Sequence, residues 1–438
     1  MKFLVLIGFS VFRNTWAQDT LKLSLQDAMD SAIQHNREIA IAKLDEKTAS
    51  ARFNQTKAVF LPQVNLSYTA AASNNPLNAF AFKLQQQSVS TSDFDPRLLN
   101  NPSTTQNYMA RLDWTQPLLN LDRVYERRAA DQEMDVNYYK TERTKEYVMF
   151  EVQKAYAQLQ LAHQSVAVLN EALRTVNSIF ETSKNYFQKG YTKKSDLLAV
   201  QVQVASTETK LAEAKSSVRN ASDYISLLMG RSSGPIYAVD SLENKRTMGT
   251  FEMIVPPDRS DFKALNSALR AQESMINSAK MSRLPKLNAF ASYMLNDKTA
   301  LGFGSNSYLL GVQFSWTLFD GTVAYHRTAK QKIAHSRIEQ QLEFQKEQSQ
   351  LELNKTLRQL ADNEFALRQY ETSVAQAVEA LRILKNRFNQ GIASSDEILR
   401  SQTTLSEQKL LLTETVFKYN TTRAYIEFLT STSKNNLE

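Results

Sequence analysis

Hydrophobic residues follow two spacings along this chain. From residue 148 onward, Val148, Val152, Ala155, Leu159, Ala162, Val166, Leu169, Leu173, Val176 and Phe180 step by four and three without a break. That is the seam of a coiled-coil helix. Neither Pro nor Gly falls between Asp122 and Phe187, so one helix of that length would run roughly 100 Å. Gly190 stops it. A second stripe follows from about Ser195, with Leu197, Val200, Val204, Leu211, Ala214, Val218, Ala221, Ile225 and Leu228. The short break predicts an antiparallel helical hairpin. The pair recurs later. Leu353, Leu360, Leu367, Val374, Leu381 and Phe388 lie seven apart, Gly391 interrupts, and Ile398, Leu405, Leu412, Tyr419 and Ile426 lie seven apart again. Helical steps of three and four also cover Ser24 to about Val59 and residues 260–282.

The second spacing is strict alternation, the mark of strands with one apolar face. Val64, Leu66, Tyr68 and Ala70 alternate with Gln63, Asn65, Ser67 and Thr69. Tyr108, Ala110, Leu112 and Trp114 alternate with Asn107, Met109, Arg111 and Asp113, and Pro117 closes that run. Leu287, Ala289, Ala291 and Tyr293 give a third strand, and Tyr308, Leu310, Val312, Phe314 and Trp316 a fourth. Residues 72–105, rich in Asn, Ser, Thr, Gln and Pro, read as a long loop, and Gly230 to Pro257 as a connector.

These patterns occur twice because the sequence does. Leu118-Leu119-Asn120, Tyr125, Arg127 and Ala129 return as Leu318-Phe319-Asp320, Tyr325, Arg327 and Ala329, and Phe187-Gln-Lys-Gly190 returns as Phe388-Asn-Gln-Gly391. Tyr224-Ile225 returns as Tyr425-Ile426, and Leu61-Pro62 as Leu284-Pro285. A duplication on this scale means two equivalent structural units. The expected division is residues 18–230 for the first repeat, 231–259 for a connector, 260–430 for the second repeat and 431–438 for a flexible tail. The copies differ chiefly between their strands, where Pro62 to Trp114 is 23 residues longer than Pro285 to Phe314.

Composition narrows the class. Only 10 Gly and 9 Pro occur in 438 residues, which suits long helices. The absence of Cys excludes disulfides, thiolate metal sites and Cys nucleophiles, and gives no support for N-terminal lipidation. The net charge of +7 is spread over helices without a basic block, so no nucleic-acid partner is expected. Lys2 followed by an apolar run to Phe12 and by Thr15-Trp16-Ala17 reads as a secretory signal over 1–17. The only alternative for that segment is a short buried helix.

Four strands of about ten residues are long enough to cross a bilayer when tilted, and their alternation is that of an outer-membrane barrel strand. Tyr68, Trp114, Tyr293, Tyr308 and Trp316 would supply membrane-interface aromatics. The competing reading is a half-buried soluble sheet packed on a helix. Four strands cannot close a barrel, and open edges are forbidden in lipid. Spanning strands would therefore have to be shared between chains, and three chains would give twelve.

The Leu25-Gln-Asp-Ala-Met-Asp-Ser-Ala-Ile-Gln-His-Asn36 opening, the Leu-Pro pairs before two strands, and the Phe-x-x-Gly turns resemble the TolC-like outer-membrane efflux proteins. The likeness covers nearly the whole mature chain and lies in the duplicated order of the motifs. It implies a mixed, mainly α fold: four strands of a shared trimeric twelve-stranded β-barrel in the outer membrane, and a long periplasmic α-helical barrel of coiled-coil hairpins. It also implies a homotrimer that docks to a periplasmic adaptor and an inner-membrane pump. Carried over by position, Gly190 and Gly391, with Phe187 and Phe388, mark hairpin tips for adaptor docking. Asp196 and Glu397, each six residues past its glycine, match gate carboxylates that would ring the axis and favour cations. Arg400 stands where some members have a second acid, which would weaken such a ring. Phe388 and Ala393 stand where a Tyr–Arg latch would be. Independently of the family, Ser195 and Asp196 read as helix caps, as do Ser394, Ser395 and Asp396.

No helical pair joins His35, His163, His326 or His335, and no phosphate loop or nucleophile elbow occurs. No metal site, cofactor or enzymatic activity is expected. Three functions stay open: an outer-membrane exit duct for small molecules, drugs or metal ions; the outer channel of a type I protein-secretion system; and an exported coiled-coil structural or adaptor protein.

Overall fold

The computed structural model describes residues 20–244 and 252–432. The expected signal segment and the tail beyond residue 432 lie outside them. In chain order the elements are β1 (Thr20–Lys22), α1 (Leu25–His35), α2 (Arg37–Gln55), β2 (Gln63–Ser73), α3 (Pro76–Gln85), α4 (Pro96–Asn100), β3 (Thr105–Leu119), α5 (Leu121–Gln188), α6 (Lys194–Leu228), β4 (Ile236–Ala238), α7 (Ser260–Met281), β5 (Lys286–Asp297), β6 (Ser305–Ser315), α8 (Val323–Asn389) and α9 (Ser395–Thr430). Short 3₁₀ turns cover Thr56–Val59 and Thr91–Phe94. Two compact units form, each drawing on both repeats: one from the chain up to Lys43, Lys140–Ser260 and Gln345 onward, the other from Leu44–Tyr139 and Asp261–Phe344.

In the first unit the heptad residues form the core. Val148, Val152 and Leu159 of α5 and Ile225 of α6 are buried with Ala28, Ala32, Ile39 and Tyr237. The helix expected from Ser24 to Val59 is broken at Asn36. The Asn36 Oδ1 accepts the amides of Glu38 (2.8 Å) and Ile39 (3.3 Å), restarting the helix as α2. Its Nδ2 donates to the Leu228 carbonyl at 2.9 Å, which ties this joint to the end of α6. Gly230 closes the same joint at φ +67°, where a Cβ would stand 2.2 Å from the His35 carbonyl oxygen. The connector contributes β4, which pairs in parallel with β1 and is absent from the sequence reading.

A buried polar node fixes the end of α9. Arg259, 1% exposed, donates to the Leu429 carbonyl (3.2 Å) and Ser349 Oγ (2.6 Å). Arg143 donates to the Phe428 carbonyl (3.1 Å) and lies 3.8 Å over the Phe428 ring. Two guanidinium groups thus take the last free carbonyls of a helix, where its dipole favours cations. Glu146, itself buried, accepts from Arg143 at 2.7 Å and from Ser260 at 2.7 Å.

The second unit is built on an antiparallel sheet of order β2-β3-β5-β6. Its register sorts the alternation onto two faces, because directly opposed residues project to the same side. One face carries rows such as Val64–Trp114–Ala291–Leu310 and Leu66–Leu112–Tyr293–Tyr308. The other carries Asn65–Asp113–Ser292 and Ser67–Arg111–Met294, with Arg111 donating to Asp113 at 2.8 Å and Ser292 hydrogen-bonded to Asp113. The apolar face is largely bare in the single chain, with Leu66 72% and Leu310 69% exposed. The outer edges of β2 and β6 have no strand partner among the described residues. The expected strand end at Pro117 is a register irregularity instead, since β3 continues to Leu119.

The long loop between β2 and β3 is not the irregular segment its composition suggested. It holds α3 and α4, each opened by a proline with an Asn or Asp cap: Asn75 accepts from Leu77 N and Asn78 N, and Asp95 from Arg97 N. Phe80 and Phe94 stack edge-to-face, with ring centroids 5.7 Å apart, and Lys83 pairs with Asp93 at 2.5 Å. The Lys83 and Ser90 hydrogen bonds hold the Asp93 carboxyl at about 2. Asn, Ser and Pro here are caps and turn formers rather than marks of irregular chain.

Candidate gate at the hairpin tips

Both hairpins turn by the same backbone device. Gly190 and Gly391 take φ +75° and +73°. At each, the glycine amide donates to the preceding Phe carbonyl at 3.0 Å, and the next amide (Tyr191 or Ile392) donates to the residue before that Phe at 2.9 Å. This is a helix C-terminus closed through a left-handed residue. A Cβ on either glycine would meet open space, so the glycine is required by its backbone angles alone. Replacing Gly190 or Gly391 by alanine should cost about 1–2 kcal/mol of local stability, read as faster hydrogen exchange of the tip amides. Unchanged exchange would remove that requirement.

The structure brings most of the proposed tip residues together. Phe388, 2% exposed, packs with Val176, Ile179, Val200, Ala393, Ile398 and Leu399. Its counterpart Phe187 is 38% exposed. Tyr186 takes the inward place instead: its ring meets Phe388 edge-on at 5.9 Å, and its hydroxyl reaches the Phe388 and Asn389 carbonyls at 3.3 Å each. Ser183 and Ser395, both buried, are linked through their hydroxyls at 3.1 Å. Ser183 occupies the next four-three step after Phe180, but as a polar residue it leaves no mark in a hydrophobic pattern. Tyr186 lies off the step altogether.

The carboxylates divide. Ser394 is the N-cap of α9: its Oγ accepts the Glu397 amide, while the Glu397 carboxylate accepts from Ser394 N at 2.8 Å. This is a reciprocal capping box. The Ser394 amide, then its hydroxyl, with Arg387 adding charge, holds the Glu397 carboxyl below the usual glutamate range. At α6 the cap residue is Lys193, whose side chain makes no cap bond. Ser195 and Asp196, read as caps, sit within the first turn, where the Ser195 hydroxyl donates to the Asp196 carboxylate at 3.0 Å. Ser395 and Asp396 likewise lie inside α9. Arg400 pairs with Asp396 at 2.8 Å rather than with Glu397, and Asp196, Glu397 and Arg400 are all exposed. Because the folded-state value of Glu397 is depressed, the tip gains stability above the ordinary glutamate pKa and loses it as pH falls through the lowered value. Protection of the tip amides, taken as exchange relative to the intrinsic rate at each pH, should therefore fall in acid in the native chain but not in Glu397→Gln; parallel protection profiles would sink this.

On the sheet, Tyr68, Tyr293 and Tyr308 lie on the apolar face toward its loop end. Trp316 lies just past β6 at the helix end, donating to the Arg283 carbonyl at 3.0 Å. Trp114 stands between Val64 and Ala291, inside the face rather than at its border. No acidic and histidine cluster able to hold a metal, and no helix long and apolar enough to cross a membrane, occurs among the described residues.

The outer membrane efflux protein family matches this chain over residues 28–231 and 258–430. The chain belongs to that family. This efflux protein is 22% identical over 268 residues to the "Probable outer membrane lipoprotein SilC" of Salmonella typhimurium, which covers 58% of the present chain and spans only about half, 52%, of that relative's length. Its fold is similar to that of CusC, at a TM-score of 0.78 and 16% identity over 98% of this chain and 97% of the other. It is also similar to VceC of Vibrio cholerae, at 0.75 and 16% over 93% and 96%. Membership places the efflux protein in the outer membrane and outside the enzymes, and the mixed, mainly helical fold expected from the two spacings is the one these channels share.

Proposed function

We propose that three copies of this chain close a twelve-stranded barrel and form a passive duct through the outer membrane and the periplasm. The observation that carries the reading is the four-stranded sheet with two unpaired outer edges and an exposed apolar face running across every strand. Unpaired backbone groups are intolerable in lipid, and three such sheets joined edge to edge satisfy them all. Tyr68 and Trp316, toward opposite ends of that face, then lie nearest the lipid headgroup layers, and Trp114, Tyr293 and Tyr308 lie deeper. The hairpin tips form the periplasmic end. Asp196 and Glu397 line the closed passage there, with Arg400 offsetting Asp396, and Gly190, Gly391, Phe187 and Phe388 shape the surface that meets a periplasmic adaptor and, through it, an inner-membrane pump. The cargo is a small molecule, drug or metal ion. Without nucleotide-binding motifs, the energy must come from that pump.

Purified chain should run as a heat-modifiable trimer and give discrete conductance steps in planar bilayers. Glu397→Gln should lower the cation preference of those steps. A soluble periplasmic product without trimers would end the channel reading, whereas unaltered selectivity would remove only the assignment of Glu397.

A further inference from the structure

The 23 extra residues between Pro62 and Trp114 do more than link two strands. The chain leaves the sheet for α5 and α8 at one end, and the segment between β2 and β3 lies at the other. There it folds back over the polar face. Asn107 and Asn296, on the polar face at diagonal positions of β3 and β5, are 3% and 2% exposed, and Ser305 of β6, opposite Asn296, is 2% exposed. Deeper on the same face Asn65 and Ser292 differ: Asn65 is open to solvent, and Ser292 is covered by its own strand neighbours.

What covers the outer end is the C-terminal turn of α3. Gln86 donates to the Gln106 carbonyl at 2.6 Å and to Asn107 Oδ1 at 3.1 Å. Asn107 Nδ2 donates to Gln85 Oε1 at 3.2 Å and to Asn296 Oδ1 at 2.9 Å. Ser305 Oγ donates to the Gln85 carbonyl at 2.6 Å. Gln87, in the left-handed region at φ +53°, turns to donate to the Asn306 carbonyl at 3.2 Å. Three consecutive glutamines therefore clamp the segment to β3 and β6, and Asn107 carries the contact on to Asn296 of β5. A non-glycine residue held at positive φ costs about 1–2 kcal/mol, so the clamp is specified rather than incidental. The segment also has contacts of its own, the Phe80–Phe94 ring contact and the Lys83–Asp93 pair.

We propose that residues 74–104 form an exit collar: a constriction that narrows the outer mouth of the duct and sets an upper size on what passes there. This rests on the shared-barrel reading, in which the polar face is the inner wall; anything bound over that face occupies the lumen, and closure by three chains puts three copies at one level.

The chain contains no Cys, so a single engineered thiol can report access. Ser67→Cys lies on the polar face of β2, four residues deeper than the Ala71–Asn107 pair, or about 13 Å along the strand. In intact cells a small membrane-impermeant maleimide should label it, while a maleimide carried on a long polyethylene glycol chain should not. Replacing residues 76–101 by a short Gly-Ser linker should raise labelling by the long reagent to the level of the small one. The triple change Gln85→Ala, Gln86→Ala and Gln87→Ala, which keeps the segment but releases its clamp, should do the same in part, and heat-modifiable trimers report that both variants assemble. If the long reagent labels the complete chain, or stays excluded from both assembled variants, the collar is overturned. Failure of the small reagent to reach Ser67→Cys in every background would show that the polar face is not a lumen wall, and the duct reading falls together with the collar.

Discussion

Leu66→Arg should abolish stable membrane insertion, and Asn65→Lys, one residue away, should not. Leu66 lies in the row Leu66–Leu112–Tyr293–Tyr308 and is 72% exposed in the single chain. If that face meets lipid, an arginine near mid-depth costs about 2–4 kcal/mol per chain. Three copies would multiply the penalty to a size comparable with the whole stability of an ordinary domain. Asn65 projects to the opposite face, opposite Asp113, where a lysine finds water and a carboxylate. Membrane fractionation and the yield of heat-modifiable trimer measure both variants. Equal behaviour of the two would mean that the faces are not lipid and lumen, and would restore the soluble-sheet alternative.

Arg259→Ala should be the most damaging change in the helical unit. Arg259 is among the largest fully buried side chains of the described residues. Its removal leaves the Leu429 carbonyl and Ser349 hydroxyl without these donors and opens a void behind them. Breaking a buried charged network by deleting one member costs about 3–5 kcal/mol. Arg143→Ala should cost less, because the Arg143 side chain is 17% exposed, so water can replace part of what it gives to Phe428 and Glu146. Urea unfolding followed by helical circular dichroism would rank the two, and limited proteolysis after α9 would localise the loss. A smaller effect for Arg259 than for Arg143 would contradict the assignment of Arg259 as the anchor of that helix end.

The contrast between what the sequence declared and what it hid follows from the range of the forces. Heptad and alternating spacings are local, repeated and driven by burial, so α5, α6, α8, α9 and the four strands β2, β3, β5 and β6 were legible within a few residues. The glycines at 190 and 391 were legible because a left-handed backbone has a strong residue preference. Single polar contacts over long separations were not. Asn36 caps α2 through its near neighbours, but its tie to Leu228, far along the chain, leaves no mark near Asn36. The β1–β4 pair is too short to show a period. At the tip, Ser394 was among several possible caps, and only the reciprocal bond with Glu397 selects it. The inward turn of Tyr186, in place of Phe187, depends on packing between two hairpins that neither sequence segment encodes alone. The gate and docking roles of Asp196, Glu397, Arg400 and the tip residues stay proposals for the experiments above.

The two bare edges, β2 and β6, have a genetic consequence. A copy whose β6 edge is broken by proline can still offer a sound β2 edge to a neighbour, so it can join an assembly it cannot complete. For a barrel shared by three chains, every member must be sound, and intact assemblies fall as the cube of the sound fraction. Equal expression of broken and sound copies would leave roughly one assembly in eight functional. Mutations on this edge should therefore be dominant, whereas mutations that merely unfold a protomer before it meets its neighbours should be recessive.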